Sequence, residues 1–317
     1  IIYILLVIIF IVFGIKDYKI MIFADLLGKF GSLFVAMLAC KDIVFNKISS
    51  FYFTINEMIL NISIGIKLMF ANIASALIIG IIRFGIERTW DVATFGKVSL
   101  TLSISSMMMI FINAVGIILF PILRRTSQER LVSIYTTIRD FLMFLLLGVL
   151  ILYYPLKALM ASWLPQYAES LLYMALVFPM FIYEGKMALL INTYLKTLRL
   201  EKIMLRINVI TMLISLAMTY ITTQIFVNLN ITIVNIVALL IIRSVLAEIY
   251  LSNKLEIDVK KDILLEIVMT LIFILLGWFV DSWVTVVVYG IAYLSYLFIK
   301  KKDFSVTVQS IKLLMKA

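Results

Sequence analysis

Long apolar runs, broken by short polar and charged stretches, occupy the chain from its first residue to about residue 299. Runs of spanning length cover about 1–15, 20–40, 64–86, 98–120, 136–154, 170–194, 204–225, 229–250, 263–281 and 283–299. A bilayer's hydrocarbon core takes roughly 20 helical residues, so continuous apolar runs near that length read as membrane-spanning helices. No ten-residue alternating pattern supports a membrane barrel. The pattern therefore predicts an all-α integral membrane protein, a polytopic helix bundle with about ten spans. The opening run IIYILLVIIFIVFG stops at Gly14, short of a full span and without a charged leading region. It reads as a helix cut in its middle, not as a signal peptide, which makes the chain an N-terminally truncated one.

Composition agrees. Hydrophobic residues make up 64% of the 317 and charged residues 15%, with a mean hydropathy of +1.14. An ordinary soluble domain is roughly 45–50% apolar and about 25% charged, and no soluble fold of this size could hide so much apolar side chain. Soluble enzymes, nucleic-acid binders and disordered chains are excluded. The chain has no histidine and one cysteine, Cys40, which removes imidazole chemistry, histidine-ligated metals, cysteine clusters and internal disulfides. No GxxxxGK[ST] phosphate loop occurs. No metal, no cofactor and no enzymatic activity are expected. Cys40, in MLACKDIVF, reads as a small buried apolar residue at a helix end.

The net charge of +10 is a topology signal. Arg124, Arg125, Arg130 and Arg139 follow the fourth run; Lys196, Arg199, Lys202 and Arg206 follow the sixth; Arg243, Lys254, Lys260 and Lys261 follow the eighth; Lys300, Lys301 and Lys302 follow the tenth. Of the alternate connections, that after the fifth run carries Lys157 alone, and those after the seventh and ninth carry no Lys or Arg. Lys and Arg concentrate on the cytoplasmic side, so the rich connections, the stretch 41–63 and the C-terminus are expected in the cytoplasm of a multi-pass cell-membrane protein. Within 41–63, Phe51, Ile55, Met58, Ile59 and Ile62 recur at helical spacing. The stretch reads either as an amphipathic helix on the membrane face or as an early start of the next span.

Charges at membrane depth face a bundle interior or a water-filled path. Asp25 and Lys29 stand one helical turn apart, as a self-neutralising pair or as a cavity cation held by its own carboxylate. Lys67 and Arg83 lie on the third run with Asn72 and Ser75 between them; they either snorkel or mark a polar stripe along a cavity. The sixth run, VFPMFIYEGKMALLINTYLK, holds the helix breakers Pro179 and Gly185 beside Tyr183, Glu184, Lys186 and Asn192. Positions 184 and 186 point about 200° apart on a helix, so one cleft cannot take both. The stretch reads as a broken transporter helix or as a structural kink whose charge binds a neighbouring helix. Pro121 and Pro155 are expected to end helices.

The stretch GIKLMFANIASALIIGIIRFGIERTWDVATFGKVSLTLSISS, followed by FINAVGIILFPILRR, resembles the start of the second lobe of bacterial polysaccharide flippases of the multidrug/oligosaccharidyl-lipid/polysaccharide exporter superfamily. The stretch YYPLKALMASWLPQYAESLLYMALVFPMFIYEGKMALLINTYLKTLRLEK is similar to the LPQY turn and following helix of the same family. The resemblance covers most of residues 60–255. It implies a two-lobed transporter of twelve to fourteen helices. Residues 1–40 would end the first lobe, 41–63 connect the lobes, 64–250 form the six-helix second lobe, and 251–317 add two helices and a cytoplasmic tail. The implied cargo is a polyprenyl-diphosphate-linked oligosaccharide moved by alternating access, with membrane lipids and polysaccharide-assembly enzymes as further partners and no nucleic acid.

On charge and depth, Lys29, Lys67, Arg83 and Lys186 are the candidate cavity cations for the diphosphate, and Asp25 and Glu184 the candidates for ion coupling. That excess of cations favours an anionic substrate over the organic cations of a multidrug and toxin extrusion exporter, the alternative within the fold. A membrane-embedded polysaccharide-assembly enzyme is the other alternative; the short connections and the uncharged TTQIFVNLN argue against it.

Overall fold

A computed structural model describes residues 3, 7, 8, 10, 18–44, 54–125, 128–280, 282–301 and 303–304. The described residues are helical, with no strand among them. The first apolar run and the 45–53 part of the connection, Lys47 and Phe51 included, otherwise lie outside the described residues. Seven helices among those described are long and apolar enough to cross a membrane, so the chain is a multi-pass membrane protein.

Residues 1–61 and 62–317 form two compact units. The first holds α1 (Tyr18–Ala39) and the short α2 (Lys41–Val44). Cys40 follows α1 and is exposed, not buried as expected; no described residue of this unit covers the helix end that carries it. The next helix, α3 (Ile55–Thr89), runs unbroken through residues 55–63 into the span that follows, which is the early start.

The second unit is a bundle of helices. After α3 come α4 (Val92–Arg125), α5 (Gln128–Val149) and α6 (Tyr153–Trp163), then the short helices α7 (Leu172–Val177), α8 (Met180–Lys186) and α9 (Asn192–Thr197). Of these, α5 with α6, and α7 with α8 and α9, make up single spans. The bundle closes with α10 (Glu201–Tyr220), α11 (Leu229–Leu255), α12 (Lys260–Leu275) and α13 (Val284–Ile299). Prolines fall inside this pattern differently from expectation. The helix α4 continues through Pro121 to Arg125. Pro155 stands in the first turn of α6, where a missing N–H costs no helical hydrogen bond.

The α7–α9 rod is the axis of this unit, almost wholly buried among α4, α5, α11 and α12. The rod is interrupted at Pro179. With no proline N–H to donate, α7 stops at Val177, and the chain passes the break through short-range bonds from Phe181 N–H to Phe178 O and from Ile182 N–H to Pro179 O. A π-helical turn, Met187–Ile191, interrupts the rod again two residues after Gly185. A Cβ on Gly185 would come within 2.8 Å of Ile112 Cδ1, so this glycine serves close packing.

On the other flank, α13 is joined to α5 by two tyrosines. Tyr289 Oη donates to Leu147 O at 2.9 Å and Tyr293 Oη to Phe144 O at 2.7 Å.

All four tryptophans, Trp90, Trp163, Trp278 and Trp283, lie beside the connections at one end of the bundle. At the other end Lys300, after α13, meets Asp140 of α5 and Asp262 of α12. Tryptophan belts mark membrane–water interfaces. The ends thus differ in kind, one marked by tryptophans, the other by the Lys300 cluster.

Candidate functional site

Two charged side chains of the rod, Glu184 and Lys186, leave it in different directions. Lys186 is 1% exposed and lies between Glu248 of α11 and Glu266 of α12, with the Glu266 Oε2 contact at 2.5 Å. Arg139 of α5 completes the cluster, Nε to Glu248 Oε1 at 2.7 Å and Nη2 to Glu266 Oε1 at 2.5 Å. Two cations and two carboxylates neutralise one another where four helices meet. Tyr183, three positions earlier on the rod, hydrogen-bonds Thr270, one turn after Glu266. Isolated charges could not persist at this depth, and only mutual pairing with full hydrogen bonding makes the cluster tolerable.

From this core the charges continue toward the basic end. Arg139 Nη1 lies 3.3 Å from Asp262 and 3.6 Å from Asp140, and Lys300 reaches Asp262 at 2.8 Å, Asp140 at 3.0 Å and Asp303 at 2.9 Å. Burial works against the Lys300 charge, but the hydrogen bonds it donates to Asp262 and Asp303 and the field of Asp140 outweigh it and hold the ammonium above its ordinary pKa. The ladder ties α5, α11, α12 and α13 together.

Glu184 belongs to a second network. Its Oε1 accepts from Arg243 Nη1 at 3.1 Å. Arg243 Nε donates to Asn208 Oδ1 at 2.9 Å, and Asn208 Nδ2 donates to Ala71 O at 2.8 Å. Asn208 thus spends both ends of its amide between α11 and α3. Ser215 Oγ donates to Ile78 O at 2.7 Å two turns further along α10, so α10 docks on α3 through backbone carbonyls. Glu184 and Lys186 are thus both bound to neighbouring helices.

The remaining candidates are more open. Lys29 Nζ pairs with Asp25 at 2.6 Å; both line a hollow of about 430 Å3 within the first unit, with Tyr3, Gly28, Gly31, Ser32 and Val35. Lys67 bonds Ser63 Oγ at 2.9 Å. Arg83 is exposed, bonds Ser99 Oγ at 3.3 Å and covers the Phe95 ring at 5.7 Å. Sixteen positions turn a helix by about 160°, so Lys67 and Arg83 look to different sides and the expected stripe is not continuous. Asn72 does share the Arg83 side, and Ser99, Ser103 and Ser106 follow along α4. Asn72, Ser103 and Ser106 are exposed, which makes a polar row on apolar helices.

Arg139, Arg243, Glu248 and Glu266 were not among the predicted site residues. Arg139 and Arg243 had been counted with the loop charges; both are buried inside helices. The signal was present, since all four fall within apolar runs. They add two charges of each sign, leaving the cationic excess unchanged and locating it. Lys29 is paired with Asp25, Arg243 with Glu184, and Lys186 and Arg139 with Glu248 and Glu266. Lys67 and Arg83 have no carboxylate within ion-pair distance among the described residues. Comparison with family models, with curated proteins and with solved structures finds no match to this chain.

Proposed function

We propose that this chain carries an anionic amphiphile across the cell membrane as part of a two-lobed transporter, and that its cargo is a polyprenyl-diphosphate-linked oligosaccharide. The observation that carries the reading is the polar row of Asn72, Arg83, Ser99, Ser103 and Ser106, exposed except at the half-buried Ser99, with an arginine that no carboxylate among the described residues neutralises. Lipid is a poor neighbour for such a row; a hydrated path is a suitable one. A diphosphate crossing hydrocarbon faces a prohibitive desolvation cost, and a cation beside a low-dielectric wall offsets it. Lys67, near the basic end of α3, supplies a second positive charge about 24 Å from the first.

In this reading the rod is the rigid element against which α3 and α4 move. Glu184, held by Arg243 and still partly exposed, is the ion-coupling candidate on the rod, and the Asp25–Lys29 pair its counterpart in the first unit. Lys186 stabilises the rod in the arrangement described. The basic end lies in the cytoplasm.

The test is transport of lipid-linked precursor in membrane vesicles with an imposed ion gradient. Arg83→Met is expected to lower it about tenfold at unchanged protein abundance, a loss of roughly 1.4 kcal/mol, with Arg83→Lys retaining a substantial share. Normal transport by both Arg83→Met and Lys67→Met would overturn the anionic reading in favour of an exporter of organic cations.

A further inference from the structure

At the aromatic end a cavity of about 360 Å3 opens between α4, the start of α7, the start of α11 and the end of α12. Its walls are Leu172 and Leu229, the Tyr173 and Trp278 rings with centroids 6.1 Å apart, and the polar groups of Thr94, Lys97 and Asn230. Lys97 makes no hydrogen bond or ion pair with any described residue. Its nearest acid along α4, Asp91, is engaged elsewhere. The hydroxyl and the N–H of Thr94 both donate to Asp91, the N–H at 3.0 Å, and hold its carboxyl below the usual range; the field of Lys97 adds only a smaller part.

The cavity is separate from the Arg83 row. Thr94 and Lys97 lie three residues apart on one side of α4, whereas Phe95 and Ser99, which face Arg83, lie about 150° around the helix. The level is also informative. Trp278 and the other three tryptophans mark this end as a membrane–water interface. A single cation there, with aromatic and apolar walls and an exposed amide, matches a singly charged phosphodiester attached to an acyl-bearing glycerol.

We propose that this cavity holds the phosphodiester headgroup of an anionic membrane lipid, with Lys97 as its counter-charge and the Tyr173–Trp278 wall against the glycerol. The assignment rests on the membrane-spanning helices and not on transport, so it stands or falls independently of the cargo.

The test uses the full chain in phosphatidylcholine nanodiscs, with Trp90, Trp163 and Trp283 replaced by Phe so that Trp278 is the reporter. Phosphatidylglycerol or phosphatidylcholine, brominated on the acyl chains close to the headgroup, is introduced and Trp278 quenching is measured. The expected result is a relative binding constant about fivefold higher for phosphatidylglycerol, falling to near unity in Lys97→Met and retained in Lys97→Arg. Equal quenching by both lipids, or a preference that survives Lys97→Met, overturns the proposal. A third arm adds inorganic phosphate; a Lys97-dependent change in Trp278 emission equal to that from phosphatidylglycerol would make free phosphate the ligand and overturn the lipid assignment. Unchanged elution of each variant on size exclusion separates these outcomes from misfolding.

Discussion

Glu184 and Lys186, two positions apart on the buried rod, bind opposite flanks of it and yet share a partner helix: Arg243, which holds Glu184, and Glu248, which holds Lys186, both belong to α11. The rod is therefore clasped from two sides by one neighbour. Side chains about 200° apart reach partners five residues apart on α11, because α11 runs alongside the rod where the π-helical turn begins.

Lys186→Met is expected to destabilise the protein by about 3–5 kcal/mol, because it strands Glu248 and Glu266 with Arg139 as their only full counter-charge. Thermal unfolding in detergent, followed by size-exclusion elution, measures this. The pair Lys186→Met with Glu266→Gln removes one charge of each sign and is expected to recover a large part of the loss. Wild-type stability in the single variant would show that the cluster is not held by its charges.

Glycines 80 and 85 on α3 are expected to respond oppositely to alanine. A Cβ at Gly85 would meet Thr219 Cγ2 at 2.5 Å, whereas Gly80 has nothing within 4 Å. Gly85→Ala should cost about 1–3 kcal/mol through overpacking against α10. Gly80→Ala should be neutral or slightly stabilising through helix propensity. Melting temperatures of the two variants give the comparison directly.

Lys300→Met should lower stability by about 1–3 kcal/mol, and by the same amount at pH 6 and pH 9. The folded-state pKa of Lys300 is raised, so its contribution is fully present below the unfolded lysine value, about 10.4, and is lost only as pH rises through the folded value. Unfolding curves for wild type and variant at both pH values check the sign. A difference that shrinks by pH 9 would contradict the ladder.

Cysteines placed singly at Asn228 and Arg199, with Cys40 replaced by Ser, test orientation. The two positions lie at opposite ends of α10. Asn228 should react with an impermeant thiol reagent added to intact cells and Arg199 should not, because Lys196, Lys202 and Arg206 surround the latter. The reverse labelling would invert the proposed topology.

What the sequence disclosed and what it hid follow from the range of each effect. The break at Pro179 was legible because a missing N–H acts within four residues. The divergence of Glu184 and Lys186 was legible because helical angle is a local property. Their partners were not. Glu266 stands 80 residues beyond Lys186, and only helix packing brings them together. Arg139 and Arg243 were misplaced for a different reason: each stands within two turns of the charged end of its apolar run, 136–154 or 229–250, where a charge read one residue at a time looks like part of a loop, although the helices themselves extend to Gln128 and Leu255. Among the predicted site cations, Lys67 and Arg83, which have no carboxylate partner among the described residues, could be singled out only once the pairs of the others had been assigned.

The tyrosine joint between α13 and α5 has a genetic consequence. Both hydroxyls donate to main-chain oxygens, at Leu147 and Phe144, so α5 enters the joint with atoms that every residue type possesses. Its side chains at 144 and 147 can drift in evolution without breaking the bonds, while Tyr289 and Tyr293 cannot be exchanged even for phenylalanine without losing one. The one exception on α5 is Gly148, where any Cβ would lie 2.9 Å from the Tyr293 hydroxyl. The two bonds therefore place no demand on side-chain identity at 144 and 147, which answer to core packing alone, whereas on the donating helix the bonds themselves require tyrosine.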